Sequence, residues 1–397
     1  MGFYLINHRV LITLIIFLVS LASLAKLSRG QTRIGFYVGK CIGGKGEIND
    51  VEKIVHDAIE KHFKTDPTIA PKLLRMHFHD CFVNGCDGSI LLDGPNAEKT
   101  AVPNLSLASA FPAIEEAKTA LEAKCPGVVS CADILALAAR DSVLLTKGFV
   151  WAVPTGRRDG NVSLDTDTNN LPAPSDDVPT QIQKFSDKGL NVKDLVTLVG
   201  AHTIGFTDCQ FFSNRLSNYN NTGKPDPSMD PNLVQELTKK CTSGSVRVAL
   251  DSGSETKFDN LYFKKINAHQ GVLESDQRLL SNATTNGVLQ KYVGIRGIFG
   301  LVFKTEFGAS MVKMSNVGAL TGTDGEIRKF VVAMSGRRSG VRYPAISCYR
   351  LPHRSKNVLA ILTLALCLCH DPKCNARFPT SYENAVKFLL GYLGCLL

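Results

Sequence analysis

The chain has 397 residues, of which 44% are hydrophobic, and a formal net charge of +9. A chain of this length can bury a substantial core in one large domain or two ordinary ones, and no long low-complexity run indicates disorder. The lysines and arginines are scattered without forming runs, so the composition argues against nucleic-acid binding and favours only association with anionic surfaces.

The first 30 residues have the pattern of a secretory signal peptide. His8 and Arg9 precede the apolar run VLITLIIFLVSLASLA, which is short for a membrane span and ends in small residues. We therefore predict cleavage before Gln31 and secretion, with an uncleaved membrane anchor as the alternative. Secretion implies an oxidising compartment, in which cysteines pair.

The cysteine count leaves one residue over. Of twelve cysteines, seven lie between Gln31 and Phe330, at positions 41, 81, 86, 125, 131, 209 and 241, and five lie beyond. Because seven is odd, one cysteine of the main domain must pair with the tail or stay free. Sequons at Asn161, Asn220 and Asn282 are candidate glycan sites.

Helical periodicity dominates the body of the chain, and alternating strand patterns are scarce. In NDVEKIVHDAIEKHF the apolar residues share one helical face, with Asn49 or Asp50 as the cap. SCADILALAARDSVLL and NVKDLVTLVGAH open with capping residues, Ser130 and Asn191, each followed by an aspartate three positions on. FDNLYFKKINAHQG predicts a helix that ends at Gly271. We predict an all-α fold whose helices line an interior able to hold a cofactor.

The segment LLRMHFHDCFVNGCDGSILL, residues 73–92, carries several groups able to do chemistry. Arg75 and His79 are four residues apart, so on a helix they share one face and could act as a charge stabiliser and a proton shuttle. The alternative is a core histidine beside a solvated arginine. A zinc site using both histidines and both cysteines of the segment (His77, His79, Cys81 and Cys86) is a further alternative, which a disulfide between the cysteines would remove.

Two loops are rich in hard oxygen ligands, which suit Ca²⁺. The first loop lies within the same segment, where an ordinary polar turn is the alternative; its candidate ligands are Asp80, Val83, Gly85, Asp87 and Ser89. His202 ends an apolar helical stripe, where a core role is the alternative, and its neighbour Thr203 could add a hydroxyl to the second loop. That loop, DSGSETKFD, offers Asp251, Ser254, the Lys257 carbonyl and Asp259.

Taken in order, these motifs resemble the secreted plant-type (class III) haem peroxidases. The resemblance runs from about Gln31 to Arg328 and rests on LLRMHFHDCFVNGCDGSILL, VSCADILALAARDSV, VPTGRRDG, NNLPAP, DLVTLVGAHTIGFTDC, FDNLYF and ESDQRLL. It implies an all-α fold whose helices enclose one haem b between distal and proximal halves, with two Ca²⁺ ions.

The resemblance also implies an activity and a location. The protein would reduce hydrogen peroxide to water while oxidising small phenolic donors in one-electron steps, as in cell-wall cross-linking, lignification and the response to oxidative stress. It would be a monomer in the extracellular space or cell wall, or alternatively the vacuole, retained on anionic wall polymers by its positive charge.

Each matched residue acquires an implied role. His202 would ligate the haem iron and donate its other ring N–H to Asp276, which raises the basicity of the imidazole. On the opposite face His79 would move a proton between the oxygens of peroxide, and Arg75 would stabilise the developing charge. Asn104 would accept from the ring N–H of His79, a role that argues against a glycan at its own sequon.

Further residues complete the implied site. Phe78 would restrict access of the donor, and Pro172 would meet the phenol. Glu98 would link the Asn104 network to the distal calcium site. Val102 stands where family members often carry an aromatic residue near the donor channel. The distal calcium site would comprise Asp80, Val83, Gly85, Asp87, Ser89 and Glu98, and the proximal one Thr203, Asp251, Ser254, Lys257 and Asp259.

The family pattern also implies covalent and ionic links. The disulfides would be Cys41–Cys125, Cys81–Cys86 and Cys209–Cys241, and Asp133 would form a buried ion pair with Arg157. A fourth bridge would join Cys131 to a cysteine shortly after GEIR, residues 325–328, but Val331 stands there. Cys348 is a candidate substitute, or Cys131 stays free.

The resemblance ends after Arg328. We predict a signal peptide over 1–30, a haem peroxidase domain over 31–328 and an atypical tail over 329–397. Because of that tail, a secreted haem- and calcium-binding protein with impaired catalysis is the alternative function.

Overall fold

The computed structural model describes residues 31–44, 46–293 and 300–332, all within Met1–Gly340, the first of two units into which the chain divides. The predicted signal peptide and Cys348 lie outside the described residues, as does all of the predicted tail beyond Val332. None of the described helices is long and apolar enough to cross a membrane.

Helices form most of the regular structure in the described residues. The α-helices are α1 (Val51–Thr65), α2 (Ile69–Val83), α3 (Phe111–Lys124), α4 (Cys131–Leu145), α5 (Val178–Asp187), α6 (Val192–Val199), α7 (Ser213–Ser217), α8 (Pro231–Lys240), α9 (Leu261–Asn267), α10 (Glu274–Gln277), α11 (Ala283–Val293) and α12 (Leu301–Met314). Strands β1 (Phe206–Asp208) and β2 (Arg247–Ala249) pair antiparallel, with Asp208 opposite Arg247. Two 3₁₀ segments, Val102–Ala110 and Gly200–Thr203, carry site residues.

Three helices begin where their capping residues predict. Asp50 accepts from two backbone amides at the start of α1, and Ser130 accepts from the amide of Asp133 at the start of α4. Asn191 and Asp194 form a complete capping box on α6. These side chains satisfy amides that the first helical turn leaves without partners.

The predicted end of a helix at Gly271 was wrong. Helix α9 ends at Asn267, and His269 adopts a left-handed conformation with φ of 61°. The amide of Gly271 instead donates to the side chain of Gln277 at 2.9 Å. The amide of His269 donates to the carbonyl of Ile266 at 2.9 Å and the amide of Gln270 to that of Lys265 at 2.8 Å. The helix therefore ends in a Schellman motif whose left-handed position is filled by His269 rather than by a glycine.

Helix α2 lies between two hydrophobic cores. It packs against α4, and α1 packs against both α3 and α4. Leu73 and Met76 of α2 belong to this first core, whereas Leu74 and Phe82 face a second core built around α6, α9, α11 and α12. Arg75 and His79 therefore project from a helix that is fixed by packing on both sides.

Three disulfides join the described cysteines, Cys41–Cys125, Cys81–Cys86 and Cys209–Cys241, the same pairs that the family resemblance implies. Cys131 is free within the described residues and fully buried. Val331, which stands where the family's cysteine is expected, is 2% exposed and lies in the same core as Cys131. Within the described residues, both positions therefore belong to one apolar core and no disulfide joins them.

We expect Cys131 to resist alkylation in the folded protein. Burial raises the pKa of its thiol to about 12, and only the thiolate reacts readily. Iodoacetamide should modify the peptide containing Cys131 in denaturant but leave it unmodified in native buffer, as measured by mass spectrometry. Modification at equal rates in the two conditions would show that this part of the core is open.

Candidate active site

Helix α2 and the 3₁₀ segment Val102–Ala110 form one side of the candidate site. The Nε of Arg75 donates to His79 Nε2 at 3.0 Å, as their four-residue spacing predicts. His79 Nδ1 lies 2.5 Å from Asn104 Oδ1, and Asn104 Nδ2 donates to the backbone carbonyl of Glu98 at 2.7 Å. Because the amide group of Asn104 is the donor to Glu98, its oxygen must accept, so the proton of His79 lies on Nδ1 and Nε2 keeps a lone pair.

The electrostatics keep His79 neutral. Burial and the charge of Arg75 hold the pKa of His79 well below its usual range. Arg75 is itself exposed, although desolvation by the surrounding protein lowers the pKa of its guanidinium. A side chain that is surrounded by protein and still accessible to solvent must face an opening in the protein. The pair therefore presents a neutral base and a cation to one space.

One partner of Arg75, Ser106, was not predicted from the sequence. Its Nη1 donates to Ser106 Oγ at 3.1 Å, which holds the guanidinium from the side opposite His79. Ser106 lies in a 3₁₀ segment, whose three-residue period differs from the helical pattern that identified the other elements. The serines at 106 and 109, spaced by the three-residue period, are the sequence signal that could have revealed it.

Glu98 connects two parts of the site in an unexpected way. Its backbone carbonyl, rather than its carboxylate, contacts Asn104. The carboxylate is buried, and both of its oxygens are without a hydrogen-bond partner in the described residues. Phe78, on the same helix as His79, packs edge-on against the imidazole with ring centroids 5.3 Å apart.

His202 and Asp276 form the second side of the site. His202 lies in the 3₁₀ segment Gly200–Thr203 that follows α6, and its Nδ1 is 3.0 Å from Asp276 Oδ1 and 3.1 Å from Oδ2. A carboxylate accepts, so Nδ1 carries the proton and Nε2 is free to bind a metal. The side chain of His202 is 36% exposed while that of Asp276 is 2% exposed, so the free nitrogen belongs to the accessible side.

The loop containing Pro172 is fastened to the segment that bears Asp276. Pro172 is half-buried, and the carbonyl of Leu171 before it accepts from Lys184 Nζ at 2.9 Å. Two residues further on, the carbonyl of Pro174 accepts from the amide of Ser275 at 2.9 Å. These bonds fix the loop beside α10.

The distal oxygen-rich loop gathers buried carboxylates. Asp80 is fully buried and accepts from the amide of Gly88 at 2.9 Å, and Asp87 accepts from the amide of Ser89 at 3.0 Å. Burial and the charges of Asp87 and Glu98 raise the pKa of Asp80 well above its usual value. Burial likewise raises the pKa of Glu98 to about 8. The charge of Arg328 acts on Asp87 and Asp80 and offsets only part of the cost of burying this group of carboxylates.

The other predicted oxygen ligands at this loop differ in whether they already accept a hydrogen bond. The Val83 carbonyl accepts from Lys188 Nζ at 3.0 Å, and the Gly85 carbonyl accepts from the amide of Asp87 at 2.8 Å. The hydroxyl of Ser89 is buried without a hydrogen-bond partner in the described part of the chain. It therefore retains capacity to bind a cation.

The proximal oxygen-rich loop adjoins His202. Thr203 donates to Asp251 Oδ2 at 3.0 Å, and the other carboxylate oxygen of Asp251 is buried with no hydrogen-bond partner among the described residues. Burial raises the pKa of Asp251 to about 7. Ser254 donates to Asp259 Oδ2 at 2.7 Å and to the carbonyl of Lys257 at 3.5 Å. These bonds form two groups, which are joined by the amide of Ser254 donating to the carbonyl of Asp251 at 3.0 Å.

The zinc alternative does not fit the structure. Cys81 and Cys86 form a disulfide, so neither offers the thiolate that zinc requires. His77 Nε2 forms a hydrogen bond with Ser315 Oγ at 2.8 Å. Burial lowers the pKa of His77 to about 3. It is a core histidine whose hydrogen bond is satisfied.

Comparison with known proteins identifies the family. The sequence matches the family described as Peroxidase over residues 55–294. The chain belongs to the peroxidase family. It is 54% identical over 307 residues to Peroxidase N1 of Nicotiana tabacum, which covers 77% of this chain and 91% of that protein. It is 51% identical over 334 residues to Peroxidase 25 of Arabidopsis thaliana, covering 83% of this chain and 98% of that protein.

Membership confirms the predicted plant-type family, the all-α peroxidase fold and peroxidase activity. Peroxidase 71 of Arabidopsis thaliana is a further relative, 52% identical over 308 residues that cover 77% of this chain and 90% of that protein. Plant-type peroxidases generally use haem and calcium, act on hydrogen peroxide with a reducing substrate, and are typically secreted.

The residues of this peroxidase fit those cofactors. His202 offers one imidazole nitrogen, and its Asp276 partner provides the anionic support typical of a haem ligand. At the two oxygen-rich loops, the buried oxygens of Ser89, Glu98 and Asp251 that find no partner in the described residues are suited to Ca²⁺.

We expect chelation of calcium to destabilise the peroxidase. Without the ion, buried carboxylates at both loops lose their compensating charge, and ligand at 100 times its Kd contributes about 2.7 kcal/mol per site. A chelator should lower the midpoint of thermal unfolding, and excess Ca²⁺ should restore it. Mg²⁺ is the control, because its smaller octahedral shell fits such loops poorly. An unchanged midpoint in chelator would contradict the assignment.

Proposed function

We propose that this plant-type peroxidase is a secreted enzyme that holds one haem b and two Ca²⁺ and oxidises small phenolic donors. The observation that carries the proposal is the pairing of Arg75, His79 and Asn104 on one side with His202 and Asp276 on the other. Each histidine has its Nδ1 proton fixed by an oxygen acceptor, which leaves both Nε2 atoms available.

His202 would hold the haem through Nε2, supported by Asp276. When bound, the haem supplies the redox chemistry that reduces hydrogen peroxide and oxidises the donor. His79 accepts a proton at Nε2 from one peroxide oxygen and delivers it to the other oxygen as water leaves. Arg75 stabilises the negative charge on that departing oxygen, and Asn104 holds the imidazole in the tautomer that can act as a base.

The overall reaction balances with two donor molecules for each peroxide. Hydrogen peroxide and two phenols give two phenoxyl radicals and two water molecules. Each phenol loses one electron and one proton, and the two oxygen atoms of peroxide accept both pairs. Pro172, on the loop fixed beside α10, would contact the phenol, and Phe78 would restrict its approach to the His79 side.

The remaining features follow from the same proposal. The catalytic domain spans residues 31–328 after removal of a signal peptide, and the tail over 329–397 lies outside the machinery. The protein acts as a monomer, and its net charge of +9 favours retention on anionic wall polymers.

Spectroscopy and turnover of the full-length chain test this proposal. Purified protein supplied with haem and Ca²⁺ should show a Soret band that changes on addition of hydrogen peroxide, and it should oxidise a phenol only when peroxide is present. A Soret band without peroxide-dependent oxidation would favour the alternative of a haem-binding protein with impaired catalysis. Failure to bind haem would contradict the assignment of His202.

A further inference from the structure

The opening beside Arg75 is bordered by the start of α2 and by the β1–β2 ribbon. Gly205, three residues after His202, sits so close to Pro71 that an added Cβ would lie 2.8 Å from the proline side chain. The chain therefore brings Lys72, the next residue on α2, near Phe206, the next residue after Gly205. This contact joins the two sides of the site at one edge.

Polar residues of the 3₁₀ segment Val102–Ala110 form the facing border. Lys72 Nζ donates to Ser109 Oγ at 2.7 Å, in parallel with the Arg75–Ser106 bond one turn along. Because a 3₁₀ helix repeats every three residues, Ser106 and Ser109 lie in one row and Val102 and Leu105 in the neighbouring row. The latter two are 78% and 57% exposed, so this border presents apolar surface beside the cations.

The ribbon contributes a further cation and an aromatic ring. Directly paired residues of antiparallel strands share a face, and alternate residues of a strand do so too. Asp208 is paired with Arg247, so Phe206, Asp208 and Arg247 lie on one face. Phe206 is 44% exposed. Strand β1 begins at Phe206, directly after the approach of Gly205 to Pro71, so this end of the ribbon lies beside α2. Burial chiefly lowers the pKa of Lys72; the charge of Asp66 raises it and the charge of Arg247 lowers it.

The charges along this border do not cancel. Its cations are Lys72, Arg75 and Arg247, and the carboxylates that act on them are Asp66 and Asp208. Asp208 contacts Arg247 only at Nε, at 3.0 Å, and the two terminal nitrogens of Arg247 make no hydrogen bond within the described residues. The hydroxyls that hold Lys72 are neutral. An anion at the opening could therefore accept hydrogen bonds from the terminal nitrogens of Arg247.

We propose that this basic border, formed by Lys72 and Arg247 beside the apolar Leu105 and Phe206, makes the enzyme prefer phenols that carry a carboxylate over neutral phenols of the same shape. The inference rests on the proposed oxidation of phenolic donors and specifies their charge. The carboxylate lies against the two cations, and the ring lies against the apolar side chains with its hydroxyl toward the opening. Lys72 and Arg247 are specificity-determining residues that take no part in the reaction of peroxide.

The test compares a hydroxycinnamic acid with its methyl ester, which keeps the ring and phenol and lacks the charge. One unit charge about 4 Å away in water changes an equilibrium by roughly fivefold, so we expect the acid to exceed the ester in kcat/KM by about five- to tenfold at low salt. Added salt should reduce that ratio, because exposed charges are screened. In the double variant Lys72→Gln/Arg247→Gln the ratio should fall to near one while oxidation of the ester is unchanged.

Matched variants separate the effect of the two positive charges from any structural effect of the substitutions. Lys72→Arg/Arg247→Lys keeps both charges and should keep the preference. Lys53→Gln removes one exposed cation from α1, away from the opening, and should leave the ratio as in the wild type. Benzoate, an aromatic carboxylate without a phenol, should bind the haem-loaded wild-type protein more tightly than the double variant, as followed by the Soret shift.

The outcomes are distinguishable. An acid-to-ester ratio that is the same in the wild type and the double variant overturns the preference, while oxidation of the ester leaves the proposed function standing. Oxidation of neither donor by the wild type contradicts the proposed function, and the preference falls with it. Equal benzoate affinity in both proteins would likewise overturn the role of the two cations.

Discussion

Replacing His79 with alanine should lower the second-order rate constant for hydrogen peroxide by about 10²–10⁴-fold, the usual contribution of a positioned acid–base group. The variant loses the imidazole base that accepts a hydrogen bond from Arg75 and whose neutral form is maintained by burial and by the charge of that arginine. Stopped-flow absorbance at the Soret band measures this rate directly. The haem should still bind, because His202 and Asp276 are untouched.

His62→Ala is the matched control for that experiment. His62 lies on α1 and pairs with Glu116 at 2.9 Å, on the surface of the first core. Its loss should leave the peroxide rate unchanged. If His79→Ala reacts as fast as His62→Ala, the assigned proton transfer is wrong, whatever the donor.

Replacing Asp133 with alanine should lower the free energy of unfolding by about 3–5 kcal/mol, as expected when one partner of a buried ion pair is removed. Asp133 accepts from Arg157 Nη1 at 2.7 Å, from Tyr37 Oη at 2.7 Å and from the amide of Gly156 at 2.6 Å. Both members of the ion pair are fully buried. The variant leaves the Arg157 guanidinium charged in an apolar interior, and urea unfolding should show a lower midpoint.

Two further variants identify the cause of that loss. Asp57→Ala breaks an exposed pair with Lys53 and should leave the midpoint near that of the wild type. Asp133→Leu/Arg157→Met removes both charges and should be less destabilised than Asp133→Ala. A double variant as unstable as Asp133→Ala would mean that the polar contacts, rather than the stranded charge, determine the cost.

Local sequence signals predicted the elements that local chemistry controls. Asp50, Ser130 and Asn191 mark the starts of α1, α4 and α6 because each side chain satisfies amides of its own helix. The four-residue spacing of Arg75 and His79 predicted their contact for the same reason. Such features require no knowledge of distant parts of the chain.

Features that depend on distant contacts were not accessible in this way. The link from Asn104 to Glu98 uses a backbone carbonyl that any residue could supply. The approach of Gly205 to Pro71 unites two segments with more than 100 residues between them, with no local pattern to announce it. The partners of His202 and of the distal pair came from the family resemblance, since spacing alone left a core role open for each histidine.

Cys131, which is free within the described residues, has a consequence for recovering the protein from inclusion bodies. In the segment up to Phe330, six cysteines can form three bridges in about 15 ways, and an odd seventh that competes for each position raises the number of wrong connectivities roughly sevenfold. The five cysteines beyond Phe330 raise it further. In the described part of the chain that seventh residue is fully buried beside Val331, so the thiol is shielded only once folding has placed it there. Oxidative renaturation should therefore begin with an excess of scrambled species, and Cys131→Ala would narrow the search without removing any of the three bridges among the described cysteines.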